Sequence, residues 1–259
     1  MEMNRILIIT PFRNEDHSIP QYIESVNAID YPKNLIAAWW LENDSSDNTL
    51  QMLKEAEQKM KVRALRLDSV RIMGSVKKQR PGIHAKDIGY GEHRVKSWLV
   101  LWNEYFLPFI RNSEADYILM WYADSVVEPN VIKEYLKVFE IHKDAGWVGG
   151  AIYFRYPKHE ILASPIPLGE AKPRLPCAPG STKPMEVKYI GHVWMCPRIP
   201  LAKCTFARIG RDMHMSLILG LKKQGLRVYY QPSVFIKHIA TDGQIHTHKL
   251  SKEAMRMPK

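Results

Sequence analysis

The chain opens with an aliphatic run, RILIIT at residues 5–10, closed by Pro11, the pattern of a strand buried on both faces of a parallel sheet. Tyr22, Ile23 and Val26 then recur at helical spacing after Ser18, a residue suited to an N-cap, and this helix ends before Tyr31-Pro32. A second apolar run, LIAAWWL at 35–41, stops abruptly at the polar turn ENDSSDNT. Beyond the turn, Leu50, Leu53, Ala56 and Met60 predict another helix, with Ser46 or Asp47 as its cap. Residues 62–67 alternate apolar and basic positions, as a half-exposed strand does.

The same alternation of elements continues. Val95, Trp98, Leu99, Trp102, Tyr105 and Phe106 predict a helix over about 94–107, stopped by Pro108, and YILMWY at 117–122 reads as a buried strand ending at Ala123-Asp124-Ser125. Strand, polar turn and helix in repetition give an α/β doubly wound, Rossmann-like and mostly parallel sheet flanked by helices, in which ligands bind at the carboxyl ends of the strands. In the second half the pattern predicts a helix at 131–142, a strand at 151–154, and strands at 187–190 and 193–195. A helix at 212–224 stopped by Gly225 and a strand at 227–230 follow, with an apolar stretch, 234–236, before His238. The segment 156–186 holds seven prolines without a period and is expected to be a loop or lid.

Composition narrows this picture. With 259 residues and 46% apolar content, one large domain is expected. No apolar run reaches membrane-spanning length and the N-terminus lacks a cleavage site, so a soluble, cytoplasmic protein is the expectation. Three cysteines without CxxC spacing suggest neither a disulfide framework nor a zinc site. The net charge of +10 matters mainly for where it lies: residues 59–96 carry eleven Lys or Arg against three Asp or Glu. Such a stretch, much of it in a Gly-containing loop, is either a solvated basic face or a site for a polyanion.

Three polar clusters stand at predicted element ends: residues 42–49, Asp124-Ser125 and Asp212. Each alone fits a turn or a cap. In their order they resemble the family 2 glycosyltransferases, whose fold is the nucleotide-binding type called GT-A. The Pro-containing loop after the first strand is matched by Thr10-Pro11-Phe12-Arg13-Asn14-Glu15, and the family's D-D-x-S-x-D-x-T pattern by Glu42-Asn43-Asp44-Ser45-Ser46-Asp47-Asn48-Thr49. The D-x-D motif is reduced to Tyr122-Ala123-Asp124, with a tyrosine where the first aspartate is usual. ENDSSDNT and the run 121–129 are also similar to the fungal Golgi mannan-polymerase mannosyltransferases.

The resemblance implies a single GT-A domain, with a nucleotide-sugar-binding half at 1–128, an acceptor and catalytic half at 129–240 and a tail at 241–259. It implies that Pro11, Arg13, Glu15, Glu42, Asp44, Arg94, Ala123 and Asp124 meet the nucleotide-sugar. A Mn²⁺ or Mg²⁺ ion would be held by Asp124 with His238. Asp212, in Gly210-Arg211-Asp212-Met213-His214, matches the catalytic acid motif with Arg211 in place of a glutamate, and would be the general base of an inverting transfer. Trp194 is a candidate platform for sugar or acceptor. The basic stretch suggests a polyanionic acceptor, either nucleic acid or a lipid at an anionic membrane surface. Two other readings are a sugar-nucleotide pyrophosphorylase, against which TPFRNEDHS lacks a glycine-rich phosphate loop, and a non-catalytic nucleic-acid-binding protein, which leaves Asp124 and Asp212 unexplained.

Overall fold

Eleven strands among the described residues form one continuous sheet in the computed structural model, which describes residues 3–72, 97–156, 159–163, 166–168, 181, 183–209 and 214–239. In chain order the first half comprises β1 (Ile6–Phe12), α1 (Ile19–Ala28), β2 (Ile36–Asn43), α2 (Thr49–Ala56) and β3 (Ala64–Val70). A π-helical segment, Leu101–Phe106, runs into α3 (Leu107–Asn112) and is followed by β4 (Tyr117–Met120) and β5 (Ser125–Val126). The second half comprises α4 (Val131–Ile141), β6 (Ala145–Tyr156), β7 (His159–Ala163), β8 (Ile166–Pro167), β9 (Met185–Tyr189), β10 (Trp194–Pro197), α5 (Arg198–Ala202), α6 (Met215–Lys222) and β11 (Arg227–His238).

The strands lie in the order β3-β2-β1-β4-β10-β6-β11-β9-β8, with β5 paired to β11 and β7 to β6. β1 to β4 are mutually parallel; β10 reverses direction between β4 and β6, and β11 is again parallel to β6. Period-two alternation explains why β1 and β2 read as unbroken apolar runs. Ile6, Ile8, Ile36, Ala38 and Trp40 face one core with α1, α2 and α4, whereas Leu7, Ile9, Trp39 and Leu41 face a second with the π-helical segment, α3, α5 and α6. Both faces are covered. Because the chain moves from β1 outward to β2 and β3 and then returns to the other side of β1, the carboxyl ends of β1 and β4 flank a topological switch point.

Several elements differ from the expectation for physical reasons. The aromatic helix does not end at Pro108: the Leu107 N–H reaches back to the Trp102 carbonyl, five residues earlier, and this widened turn carries the chain past a proline that has no N–H to give. The segment expected to be a loop contains β7, β8 and the start of β9, with residues 157–158, 164–165, 169–180 and 182 outside the described residues. β11 continues through Pro232 because its pairing with β6 breaks register between Tyr230 and Phe235 and resumes at Phe235↔Ala151. Gly150 is required opposite this bulge, since a Cβ there would lie 2.5 Å from the Val234 carbonyl oxygen. Gly225 terminates α6 at φ +80°, as expected. Among the described residues no helix is long and apolar enough to cross a membrane.

The bulge is pinned from α4. The buried Glu134 carboxylate accepts hydrogen bonds through Oε2 from Gln231 Nε2 at 3.0 Å and Ser233 Oγ at 2.6 Å, and Lys137 lies on Oε1. Burial pushes the Glu134 carboxyl up, but Lys137, Ser233 and Gln231 together outweigh it and hold the group below its ordinary value of 4.5. A depressed folded value means that the stabilisation is present in full above pH 4.5 and is lost as pH falls through the folded value. Glu134→Gln is expected to cost about 1–3 kcal/mol at pH 7. In urea unfolding, the gap between wild type and variant is expected to shrink steadily below about pH 4.5; a gap independent of pH would contradict this.

Candidate active site

The first wall of the site is built by the loops after β1 and β2. Parallel pairing sets Phe12 level with Glu42, and two residues further on each chain Asn14 (φ 53°) and Asp44 (φ 50°) take left-handed conformations that Asn and Asp tolerate best. The polar turn then locks the two loops together. Asn14 Oδ1 accepts the Ser46 N–H at 2.8 Å, Ser45 Oγ accepts the Asn14 N–H at 3.0 Å, and Thr49 Oγ1 accepts the Glu15 N–H at 2.7 Å. Asp47 accepts the Thr49 N–H at 3.0 Å, so it braces the start of α2 from one residue ahead of the actual cap, Asn48.

Glu42 is buried, with Oε1 accepting the Ser45 N–H and Oε2 the Ser69 hydroxyl. Its carboxylate shapes the turn. The Asp44 side chain is 40% exposed and stands 3.8 Å from Arg71, which makes it the carboxylate of this loop that faces solvent. Glu15 accepts from Ser18 Oγ at 3.1 Å and lies 3.7 Å from His17. Pro11 and Arg13 are half-buried at the same edge.

The second wall is the end of β4. Trp121 Nε1 donates to the Ser125 carbonyl at 2.8 Å, turning the chain so that residues 125–126 pair with the end of β11. That pairing puts His238 opposite Ser125 and brings its Nε2 to 3.2 Å from Asp124 Oδ2, while the Ile239 N–H donates to the Asp124 carbonyl at 2.7 Å. Burial pushes the Asp124 carboxyl up, but His238, His192 and the Ser125 hydroxyl outweigh it and hold the group below its ordinary value. Asp124 is therefore ionised at neutral pH, with its side chain 31% exposed. The Ala123 methyl is buried, so any ligand contact at this position is a main-chain one.

The Asp124 and His238 donors suit a small divalent ion. Neighbouring ligands of an octahedral Mg²⁺-like ion stand roughly 3 Å apart, close to the 3.2 Å observed, and such ions accept one or two protein ligands with waters and phosphate oxygens completing the shell. Among the described residues there is no group of three or more His, Cys, Asp or Glu that could hold a metal.

Of the residues expected from sequence, Pro11, Arg13, Glu15, Glu42, Asp44, Ala123, Asp124 and His238 thus lie at the carboxyl edge of the sheet; Arg94 and Asp212 lie outside the described residues. Trp194 requires a correction. It is fully buried, stacked on Trp147 with ring centroids 3.6 Å apart and on Trp102 at 6.0 Å, so it packs the core and offers no open face to an acceptor. His192 was not foreseen. It holds φ 65° just before β10, it contributes to lowering the Asp124 carboxyl, and its ring lies 5.5 Å from that of Tyr122. Strained backbone at a ligand-facing edge is a functional signal, but it is invisible before the fold is known.

Comparison with known proteins agrees with this architecture. The Anp1 family model matches residues 1–89. The yeast (Saccharomyces cerevisiae) mannan polymerase II complex ANP1 subunit is 40% identical over 50 residues, covering 19% of this chain and 10% of the relative. The human inactive glycosyltransferase 25 family member 3 is 29% identical over 121 residues, covering 46% of this chain and 19% of the relative. The chain therefore spans a fifth or less of the length of these curated relatives. Among solved structures, the mannosyltransferase PcManGT from Pyrobaculum calidifontis, in complex with GDP-Man and Mn²⁺, superposes with a TM-score of 0.57 at 15% identity, covering 93% of this chain and 59% of that one. The GT-A fold and the resemblance to the fungal mannan-polymerase proteins are both borne out.

Proposed function

We propose that this GT-A domain is an inverting, metal-assisted hexosyltransferase that moves a sugar from a GDP- or UDP-sugar to an acceptor hydroxyl. The observation that carries the reading is the Asp124–His238 pair, 3.2 Å apart beside the switch point between β1 and β4. In a sheet of this topology the crevice outside those two strands is the ligand site.

The roles follow from position. The loop of residues 42–49 takes the nucleoside, with Glu42 and Thr49 holding the loop shape and Asp44 presenting its solvent-facing carboxylate to base or ribose. Asp124 and His238 would hold a Mn²⁺ or Mg²⁺ ion. A bound ion supplies charge neutralisation for the departing diphosphate. Asp124 contributes a full negative charge because its neighbours keep it ionised. Arg94 grips phosphate oxygens, as a guanidinium does in bidentate fashion. Asp212 takes the proton from the acceptor hydroxyl as that oxygen attacks the anomeric carbon from the face opposite the diphosphate. The basic surplus over residues 59–96 supports a polyanionic acceptor.

A thermal-shift panel of GDP-, UDP- and dTDP-sugars with and without Mn²⁺ tests the reading. At a hundredfold excess over Kd, the cognate donor is expected to raise Tm by roughly 5–10 °C. The rise should require Mn²⁺. A melting temperature indifferent to every donor would remove the proposal.

A further inference from the structure

A second charged surface lies away from the donor edge. Between Lys188 and Arg227 the chain carries eight Lys or Arg against one acid, Asp212. α5 and α6 display part of this excess together with aliphatic side chains. Ile199 of α5 is 59% exposed, and Lys203, four residues further on and therefore on the same side, is exposed with it. In α6 the exposed positions are Leu219, at 39%, and Lys222, followed directly by Lys223, again three and four residues apart. The opposite sides of the two helices are committed to the core through Leu201, Leu217, Ile218 and Leu221.

The two exposed sides adjoin. Gly220 approaches Cys204 so closely that a Cβ there would stand 2.8 Å from the Cys204 sulfur, which lets α6 lie against the end of α5. Gln224 Nε2 spans the helices, donating to the Pro200 carbonyl at 3.0 Å and the Gly220 carbonyl at 3.2 Å. Arg111 of α3 adds a charge at the end of α5, where it donates to the Ala202 carbonyl at 2.9 Å. Among the described residues Lys203, Lys222, Lys223 and Arg111 have no carboxylate partner; Lys222 donates to the Lys188 carbonyl at 3.4 Å. Glu114 and Asp116, which flank Ala115 in the chain, are paired with Arg5.

We infer that this face docks on anionic lipid headgroups. The ammonium groups meet the charged headgroups, while Ile199 and Leu219 enter the boundary with the acyl chains. The aliphatic pair is what favours a bilayer over nucleic acid: non-specific nucleic-acid binding is phosphate neutralisation and gives these side chains nothing apolar to enter. Like charge opposes a second copy of the same face. α5 follows Pro197, which is level with Tyr117 at the start of β4, and Lys223 precedes the start of β11, whereas Asp124 and His238 lie at the other ends of these two strands. Docking therefore leaves the donor edge on the side away from the bilayer. It does not depend on the transferase reading.

Co-sedimentation with vesicles of phosphatidylcholine alone, and of phosphatidylcholine with roughly one-third phosphatidylserine, tests the inference. The protein is expected to bind the mixed vesicles, less tightly as salt rises from about 0.05 to 0.5 M, and to ignore the neutral ones. Each charge near such a surface is worth about fivefold in binding, so Lys203→Gln, Lys222→Gln and Lys223→Gln combined should weaken it about a hundredfold and flatten the salt dependence. Ile199→Ser combined with Leu219→Ser should weaken binding about tenfold at every salt concentration and leave the salt dependence as it was. Both variants should melt within about 2 °C of wild type, because the exchanged side chains face solvent. Failure to bind the mixed vesicles, equal binding to the neutral ones, or binding that survives both variants would overturn the inference. So would variants that lose polynucleotide binding or self-association while vesicle binding is kept.

Discussion

Asp124→Ala is expected to lower Mn²⁺-dependent release of nucleoside diphosphate from the cognate donor by about a hundredfold to a thousandfold, the range seen when a preorganised charge-stabilising group is removed. The expectation follows from what the side chain touches. Its carboxylate is kept ionised by His238, His192 and Ser125, and with His238 it forms the donor pair that suits a divalent ion. Alanine leaves His238 as the remaining protein donor of the pair, so metal affinity should fall with turnover. Titration of activity against Mn²⁺ separates the effects: the variant should need far more metal and still not recover wild-type kcat. Recovery of full activity at high Mn²⁺ would reduce Asp124 to a replaceable ligand; unchanged activity at all concentrations would remove it from the site.

Asp212→Asn should instead leave the donor bound and stop the chemistry. The asparagine is nearly the same size and cannot take a proton, and loss of a general base costs about 10²–10⁴ in rate. The Mn²⁺-dependent thermal shift with the donor should match wild type, while kcat falls by that factor. The dissociation between binding and turnover is the informative part, because a residue that merely started α6 would change stability and leave the ratio of turnover to binding intact. Among the described residues, His214 is the one that directly precedes α6.

What could be read from the sequence was the part of the fold set by neighbours along the chain. β1, β2 and β4 are buried on both faces, and that burial demands continuous apolar runs that no other element of this length would need. The loop after β2 was equally readable, since Glu42 and Asp47 accept backbone N–H groups within a few positions. Long-range pairing was not. β6 extends through Gly146, Gly149 and Gly150, which argue against a strand in isolation, and the need for Gly150 arises from the Val234 carbonyl on β11. Pro232 marked a break that the sheet accommodates as a bulge held by Glu134, a residue almost a hundred positions away. Pro108 marked a helix end that a π-helical turn absorbs.

The candidate site divides along the same line. Asp124 and His238 were legible because each follows an apolar strand, and their meeting depends on the antiparallel pairing of β5 with the end of β11. Trp194 was misread because a tryptophan beside Gly191 and His192 looks like a ligand platform until Trp102 and Trp147 are seen against its faces. His192 carried no sequence signal at all, since its left-handed backbone and its influence on Asp124 exist only in three dimensions. The exchange of an aspartate for Tyr122 reads as a defect in a metal motif, whereas the fold supplies the hydroxyl with a partner 92 positions away.

The central claim is that the edge formed by β1, β2 and β4 turns over a nucleotide-sugar with a divalent ion. It is tested most directly by measuring nucleoside diphosphate release from GDP-, UDP- and dTDP-sugars in the presence of Mn²⁺ and of a chelator. The account predicts release from at least one donor that stops on chelation and is absent in Asp124→Ala. Release from none of the donors, or release that continues unchanged in chelator and in Asp124→Ala, would contradict it.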